Sequence, residues 1–365
     1  MKVLYITNLP SPYRVEFFSE LGKKCDLTVV YERKTAADRD KKWNAKSQNT
    51  YREVFLSGKA IGNENSFCPE IIKHLKKDYD HIIIGVYSTY TAMFAALYMR
   101  MRGIPYIISS DGGFVAVENK LKYYIKRFFI GSAKAWLSTG KETTKYLQYY
   151  GADLKNIYEY PFTSLCESDI LSVPTPKEEK DMLRQQLGLK GEKIIVSVGQ
   201  FIYRKGFDVL IEAINHLGND IQLYIIGGEK ENLQKLIGGE LPPNVNTLGF
   251  MDKKTLFKYY RAADLFVLPT REDIWGLVIN EAMACGLPVI TTDKCIAGLE
   301  LIENGVNGYI VSVGNSKELA QRIDDVFYCN ENDIGQSGLH IISKYTFKFM
   351  VQYHIDILMD IKGHS

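Results

Sequence analysis

No C-x-x-C pair, no N-x-S/T sequon and no long apolar span occurs in this 365-residue sequence. The six cysteines (Cys25, Cys68, Cys166, Cys285, Cys295, Cys329) are scattered, with no histidine nearby. That spacing argues against a zinc site or a disulfide framework and for a reducing compartment. The missing sequon fits a chain that never enters a secretory lumen. A signal peptide is not expected either, because the apolar core Val3–Ile6 is short and Pro10 and Pro12 follow it. The one membrane candidate, Ile82 to Met99, has 18 residues without a charge. It contains Gly85, Ser88, Thr89 and Thr91, so it reads as a strand over Ile82–Val86, a loop and a helix from Thr91, not as a span. No G-x-G-x-x-G follows any expected strand, which makes a dinucleotide-dependent oxidoreductase the poorest reading. Short-period repeats and low-complexity segments are also missing.

Net charge is nearly absent at +2, but the halves differ. Residues 1–165 hold 25 Lys and Arg against 16 Asp and Glu, and the remainder holds 20 against 27. Only the first half is therefore suited to face an anionic surface or ligand. Apolar content of 46% and charged content of 24% are those of a globular protein, and the length implies two domains.

Both halves alternate strands and helices. In the first, strands are expected at Val3–Thr7, Leu27–Tyr31, Ile82–Val86, Tyr106–Ser109 and Ala135–Ser138, with a helix at Tyr13–Leu21. A long charged segment, Glu32 to Arg52, contains Arg33, Lys34, Arg39, Lys41, Lys42, Trp43 and Lys46. The stretch NKLKYYIKRFFI (119–130) makes one aromatic and one basic face at helical spacing. It suits either a surface helix packed on the sheet or a membrane contact. The periodic pattern breaks between Pro161 and Lys193, where the domain boundary is placed. A second run follows, with strands at Ile194–Val198, Gln222–Ile226, Val245–Leu248, Leu265–Leu268, Leu287–Ile290 and Tyr309–Val313. Its helices are expected at Phe207–His216, Glu229–Ile237, Lys253–Ala263 and Leu277–Cys285. The pattern is doubly wound α/β.

The chemistry gathers between Asp264 and Thr292. The helix from Leu277 is apolar on nearly every side yet carries one carboxylate, Glu281, which is costly to bury unless it is partnered. Ligands of open α/β sheets bind outside the carboxyl ends of the strands. Three loops leave such ends: Gly199-Gln200-Phe201-Ile202-Tyr203-Arg204-Lys205-Gly206, Gly227-Gly228, and Thr270 to Gly276 with Arg271, Glu272, Asp273 and Trp275. Arg204, Lys205 and a helix N-terminus opened by Gly276 suit a diphosphate. Asp273 and Glu281 would accept hydrogen bonds from hydroxyl groups on either side of it.

These residues resemble family 4 of the retaining glycosyltransferases (group 1, GT-B fold), of the bacterial surface-polysaccharide type. The family signature is an acidic residue, seven residues, then Glu and A-M-A-x-G-x-P-V-I. Here Asp273 to Glu281 is followed by Ala282-Met283-Ala284-Cys285-Gly286-Leu287-Pro288-Val289-Ile290. VGQFIYRKGFDVLIEA (198–213) and NGVNGYIV (304–311) match further landmarks in order, and NLPSPYRVEFF carries a weaker likeness in the first half. The resemblance implies two facing Rossmann-like, doubly wound α/β domains with an interdomain cleft. It implies an acceptor-side domain over 1–165 completed by a C-terminal helix near 346–365, and a nucleotide-sugar domain over 166–345. Glu281 would bind the donor ribose, and Asp273 or its neighbour Glu272 the sugar hydroxyls. Backbone groups at Trp275, Gly276 and Leu277 would meet sugar and phosphate, while Lys205 holds the diphosphate. Gly199 and Gln200 belong to the same donor site. The family usually has Arg at position 200, so Arg204 would replace the charge Gln200 lacks. Many members place a His after a first-domain strand; here Ser110-Asp111-Gly112-Gly113 stands there, and Asp111 would orient the donor sugar or the acceptor, or else cap the next turn.

The implied reaction is a metal-independent hexosyl or N-acetylhexosaminyl transfer with retention, by front-face attack. The donor is a nucleotide-diphosphate sugar, UDP-linked by expectation, with no other cofactor. The acceptor would be a saccharide, polyprenyl- or lipid-linked, of capsule, exopolysaccharide or lipopolysaccharide synthesis. Partners would include an anionic membrane through the basic first half, at the cytoplasmic face, and no nucleic acid. Asp78-Tyr79-Asp80 and Asp38-Arg39-Asp40 match a metal-holding D-x-D pattern but read as surface charges. Alternatives are a GT-B sugar-nucleotide epimerase or a non-catalytic nucleotide-sugar-binding protein.

Overall fold

The computed structural model describes residues 1–34, 50–62, 65–218, 220–328 and 331–363. Arg39, Lys41, Lys42, Trp43 and Lys46 of the charged segment, and the Asp38-Arg39-Asp40 motif, lie outside the described residues. The chain divides into two units: Met1–Thr163 with Phe347–Ser365, and Ser164–Thr346.

The first unit opens with β1 (Lys2–Thr7), α1 (Pro12–Leu21), β2 (Asp26–Tyr31), β3 (Arg52–Phe55), β4 (Lys59–Ile61) and β5 (Asn65–Phe67). It continues through β6 (His81–Ile84), α2 (Tyr90–Met101), β7 (Ile107–Ser110), α3 (Lys120–Ile130), β8 (Ala135–Ser138), α4 (Lys141–Tyr149) and β9 (Ile157–Glu159). Seven strands form a parallel sheet in the order β3-β2-β1-β6-β7-β8-β9, and β4 and β5 pair separately as an antiparallel ribbon. The central strands are buried on both faces, which is why they read as continuous apolar runs. Leu4, Ile6, Ile82, Ile84, Ile108 and Trp136 share one core with Ala92, Ala95 and Met99 of α2. The uncharged run Ile82–Met99 resolves into β6 and α2, and the Thr89 side chain caps α2 by accepting the Ala92 N–H at 3.2 Å.

The second unit contains α5 (Lys177–Leu187), β10 (Lys193–Val198), α6 (Phe207–Ile214), β11 (Ile221–Ile226), α7 (Lys230–Ile237), β12 (Val245–Leu248) and α8 (Lys253–Ala262). Then come β13 (Leu265–Leu268), α9 (Leu277–Ala284), β14 (Val289–Thr292), α10 (Ile296–Leu301), β15 (Gly308–Val311), α11 (Ser316–Tyr328) and α12 (Glu331–Ile342). Its six strands are parallel in the order β12-β11-β10-β13-β14-β15. The strand expected at Leu287–Ile290 starts two residues later and ends at Thr292, because pairing with β15 begins at Val289. At the amino edge of this sheet Asp264 is buried with its charge matched. Arg184 donates to both carboxylate oxygens at 2.7 Å, Lys180 stands 3.1 Å away, and the Ile194 N–H donates at 2.8 Å. This network fastens α5 across the starts of β10 and β13.

The chain closes with α13 (Phe347–Gly363), which packs on α1 in the first unit. His354 of α13 is fully buried between the rings of Phe17 and Tyr160, at 4.7 and 4.4 Å, and its Nδ1 lies 2.7 Å from the Met350 carbonyl. Its Nε2 has no partner. Among the described residues no helix is long and apolar enough to cross a membrane.

Burial pushes the His354 pKa down from 6.5 to about 4. The neutral ring is therefore the folded form, and the unfolded chain binds the extra proton between those values. Stability is then full above about pH 6.5 and falls as pH drops toward about 4, on the order of 2 kcal/mol by about pH 5. Urea unfolding of the wild type and of His354→Leu at both ends of that window checks this. The substitution should flatten the pH slope, and an equal slope in both proteins would locate the proton elsewhere.

Candidate functional site

In the second unit the strand order reverses between β10 and β13, so the loops leaving their carboxyl ends run to opposite sides and open a crevice. One loop is Gly199–Gly206 and the other Pro269–Gly276. They touch backbone to backbone. Gly206 has φ +70°, and a Cβ placed on it would lie 2.0 Å from the Pro269 carbonyl oxygen. The Arg271 N–H donates to the Arg204 carbonyl at 2.7 Å. The Thr270 hydroxyl, fully buried, stands 3.0 Å from both the Arg204 and Glu272 carbonyls. Arg271 itself is spent on structure: it is doubly bonded to Asp208 at 2.8 and 2.6 Å and stacked 3.9 Å from the Tyr203 ring.

This contact brings Lys205, Arg204 and Asp273 together. Lys205 Nζ donates to Asp273 Oδ2 at 2.6 Å, with the two side chains only 13% and 11% exposed. Arg204, half exposed, donates to the Glu272 carbonyl at 2.8 Å and reaches within 4.0 Å of Asp273 Oδ1. The Asp273 backbone is pinned by its N–H to Lys294 and by its carbonyl, which accepts the Ile296 N–H. Of the two adjacent carboxylates, Asp273 is thus buried and held against Lys205, whereas the Glu272 side chain is exposed. Gln200 is exposed as well, and the Gly199 N–H is tied to the Ile226 carbonyl at 2.9 Å.

After Asp273 the chain turns into α9. Trp275 is buried, donates from Nε1 to Asn280 at 2.9 Å, and accepts the Ala297 N–H and the Cys295 thiol on its carbonyl, at 2.9 and 3.1 Å. Burial, with the Asp273 charge beside it, pushes the Cys295 thiol up to about 12, so it stays a neutral donor. Gly276 has φ +100° and its missing Cβ leaves the place occupied by Cys295 Sγ, 2.8 Å away. Leu277, half-buried, is the first residue of α9.

Glu281, one turn on, has its own partners. Ser164 Oγ donates to one oxygen and Tyr260 OH to the other, both at 3.2 Å. Burial raises its pKa, and the nearby Lys253 opposes that. Lys253 in turn donates to the Ser164 carbonyl and to Asp169, at 2.7 and 2.8 Å. The sequence assigned none of Ser164, Lys253 and Tyr260 to the site. Lys253 and Tyr260 stand seven apart on α8 and so share a face, a signal that was available.

Asp111 lies in the first unit, just past β7. It neither caps a turn nor stands alone. Arg14, buried in the first turn of α1, donates to Asp111 Oδ2, and Tyr13 OH donates to the same oxygen at 3.1 Å. Burial pushes the Tyr13 hydroxyl up to about 12, with Arg14 opposing, so the phenol remains a donor. The D-x-D pair of this unit is engaged by lysines: Asp78 with Lys2 at 2.6 Å and Asp80 with Lys362 at 2.9 Å. Among the described residues no three His, Cys, Asp or Glu side chains are grouped to hold a metal ion.

Residues 179–337 match the family model of glycosyl transferases group 1. The D-inositol 3-phosphate glycosyltransferase of Xylanimonas cellulosilytica is 31% identical over 185 residues, 48% of this chain and 43% of that protein. The lipopolysaccharide core biosynthesis glycosyltransferase LpsE of Rhizobium meliloti is 32% identical over 136 residues, 36% of this chain and 39% of LpsE. The chain thus spans less than half the length of these curated relatives. Anabaena HepE in complex with UDP superimposes with a TM-score of 0.78 at 18% identity, covering 99% of this chain and all of HepE. The fold is GT-B, with a Rossmann-like sheet in each unit.

Gly206→Ala should disrupt this site from the backbone outward. The added Cβ strains a left-handed residue and collides with Pro269, costing about 2 kcal/mol or more. Thermal melting should show the loss, whereas Gly188→Ala, also left-handed but with open space for a Cβ, should cost less. Equal losses would mean that the Pro269 contact carries no weight.

Proposed function

From the group 1 glycosyl transferase module of residues 179–337, we propose that this protein is a retaining, metal-independent glycosyltransferase. It moves a hexose or N-acetylhexosamine from a UDP-sugar to a saccharide acceptor. The observation that carries the reading is the Lys205–Asp273 pair, with Arg204 at its rim, held at the switch point of a parallel sheet. Lys205 has three N–H donors and gives one to Asp273, leaving two directions for phosphate oxygens. Arg204 and the N-terminus of α9 add positive potential on the same side. The UDP bound by Anabaena HepE supports a uridine nucleotide. The likeness to LpsE supports an acceptor in surface-polysaccharide synthesis. We propose that this acceptor is lipid-linked, at the inner face of an anionic membrane.

Each group then has a task that its geometry permits. Lys205 and Arg204 stabilise the negative charge that grows on the departing diphosphate, the largest electrostatic demand of the step. Asp273 accepts hydrogen bonds from sugar hydroxyls, with exposed Glu272 as its rival, and the turn through Trp275, Gly276 and Leu277 brings backbone N–H groups to sugar and phosphate. Glu281 serves the ribose: its two oxygens each hold one hydroxyl donor and keep lone pairs for more. Asp111, fixed by Arg14 and Tyr13, orients a sugar hydroxyl. Front-face attack lets the leaving phosphate take the acceptor proton, so no protein base is assigned.

Thermal shift with UDP-, GDP-, ADP- and CDP-sugars tests the donor. The UDP-sugars should raise the melting temperature, and stabilisation by none of the four would remove the donor reading. Lys205→Ala should lower kcat on the order of 100-fold, by analogy with deleting one oxyanion donor. Unchanged kcat would take Lys205 out of the role. Turnover in excess EDTA should persist, and the product anomer, read by NMR, should match that of the donor.

A further inference from the structure

Helix α3 sits on the first unit with its apolar stripe turned outward. Leu121, Tyr124, Ile125 and Phe128 follow the 3-1-3 spacing of one helical face and are 71%, 63%, 42% and 42% exposed. Such a face ordinarily meets the core, and of the whole helix only Ile130 is buried. The inner side of α3 is held by Ile130 in the core, by Tyr123 and Phe129 packed against that core, and by a polar anchor. Glu118, nearly buried, takes Lys122 at 2.9 Å, Lys126 at 2.7 Å and the Tyr150 hydroxyl at 2.7 Å. Lys126 also lies 4.9 Å over the Tyr150 ring, and Tyr123 meets the Tyr149 and Tyr150 rings. Helix α3 is thus a surface helix that packs inward through Tyr123, Phe129 and Ile130 while leaving a second apolar stripe exposed.

The surface continues onto α2. Arg100 stacks 4.4 Å over the Phe128 ring, and Met101, next in the chain, is 70% exposed. Neither α2 nor α3 carries a carboxylate. Between Tyr90 and Ile130 the only acids are Asp111 and Glu118, and both are consumed by the ion pairs already described. Arg100, Arg102, Lys120 and Arg127 thus rim an apolar stripe with no negative charge among them.

We infer that the outer face of α3, with the last turn of α2, is a docking surface that seats the first unit on an anionic lipid bilayer. The chemistry selects this occupant. A helix lying in the interfacial plane puts aliphatic and aromatic side chains among acyl chains and its cations among headgroups. Tyrosine suits that boundary, with ring in and hydroxyl out. A second copy of the chain fits poorly, since a two-fold contact would press like charges together, and lysine is depleted from protein interfaces. The inference gives a place to the lipid-linked acceptor of the proposed function, but it stands on the geometry of α3 alone.

The test uses the full chain and vesicles of phosphatidylcholine, alone or mixed with phosphatidylglycerol, in a flotation assay without donor or acceptor. Wild type should float with the mixed vesicles, much less with the neutral ones, and less as salt rises. Leu121→Glu with Ile125→Glu should weaken binding by more than about tenfold, through lost apolar burial and added repulsion. Lys120→Glu with Arg127→Glu should do the same while leaving the stripe intact. Both pairs are surface changes, and unaltered melting curves would show that folding is unaffected. Wild-type protein that stays unbound to the mixed vesicles, or binding that both pairs leave intact, overturns the proposal. So does a dimer in light scattering that the same substitutions dissolve, which would assign the face to a second copy. Vesicle binding without any transfer activity would keep the docking surface and remove the enzyme.

Discussion

The candidate donor site depends on a contact between two backbones. Where Gly206 meets the Pro269 carbonyl, the loop after β10 and the loop after β13 come closer than any side chain allows. That approach places Lys205 against Asp273 and Arg204 against Glu272, and it lets the Arg271 N–H close on the Arg204 carbonyl. The parallel sheet supplies the divergence of the loops, and the glycine supplies their contact. Neither alone would gather two cations and a carboxylate at one point. Buried hydroxyls of Thr270, Thr291, Thr292 and Ser197 bridge neighbouring carbonyls at the same sheet edge, so the strand ends are fixed rather than frayed.

In both units several buried charges are matched by an opposite charge before any ligand arrives. Asp264 is met by Arg184, Lys180 and a backbone N–H; Arg14 is met by Asp111; Lys205 is met by Asp273. An unmatched charge at these depths would cost several kcal/mol. The pairs differ in what they can still do. Asp264 is closed on all sides at the amino edge of its sheet and is structural. Lys205–Asp273 and Arg14–Asp111 stand at carboxyl edges, where doubly wound sheets present ligands, and each leaves donor or acceptor capacity unspent.

Much of this was legible in the sequence. The apolar run Leu265–Leu268 is a strand with those limits, because parallel strands buried on both faces leave a continuous signal. Gly206 and Gly276 marked the two turns that approach the site. The two edge strands of the first sheet were not legible: β3 and β9 are short and half-exposed, so they lack both the apolar run and a clean alternation. Pairings over long separations were equally silent. Nothing local ties Arg14 to Asp111, 97 residues away, or Ser164 to Glu281, 117 residues away.

The orientation of α3 shows why periodicity alone stops short. Its sequence has aromatic or aliphatic residues on both sides of the wheel: Tyr123, Phe129 and Ile130 on one, Leu121, Tyr124, Ile125 and Phe128 on the other. A hydrophobic pattern names a stripe but not the solvent it faces. The deciding residue is Glu118, which lies outside the helix. It draws Lys126 inward and engages Lys122 at the surface, on the sides of the helix that leave the stripe of Leu121, Tyr124, Ile125 and Phe128 outward. Its carboxyl, pushed up by burial, is nonetheless held down at about 2 by hydrogen bonds from Lys126, Tyr150 and Lys122, so the anchor stays charged throughout the neutral range. An apolar stripe held outward by a matched buried charge costs hydrophobic free energy in water and recovers it only against another apolar phase. The cations around it narrow that phase to one with a negative surface.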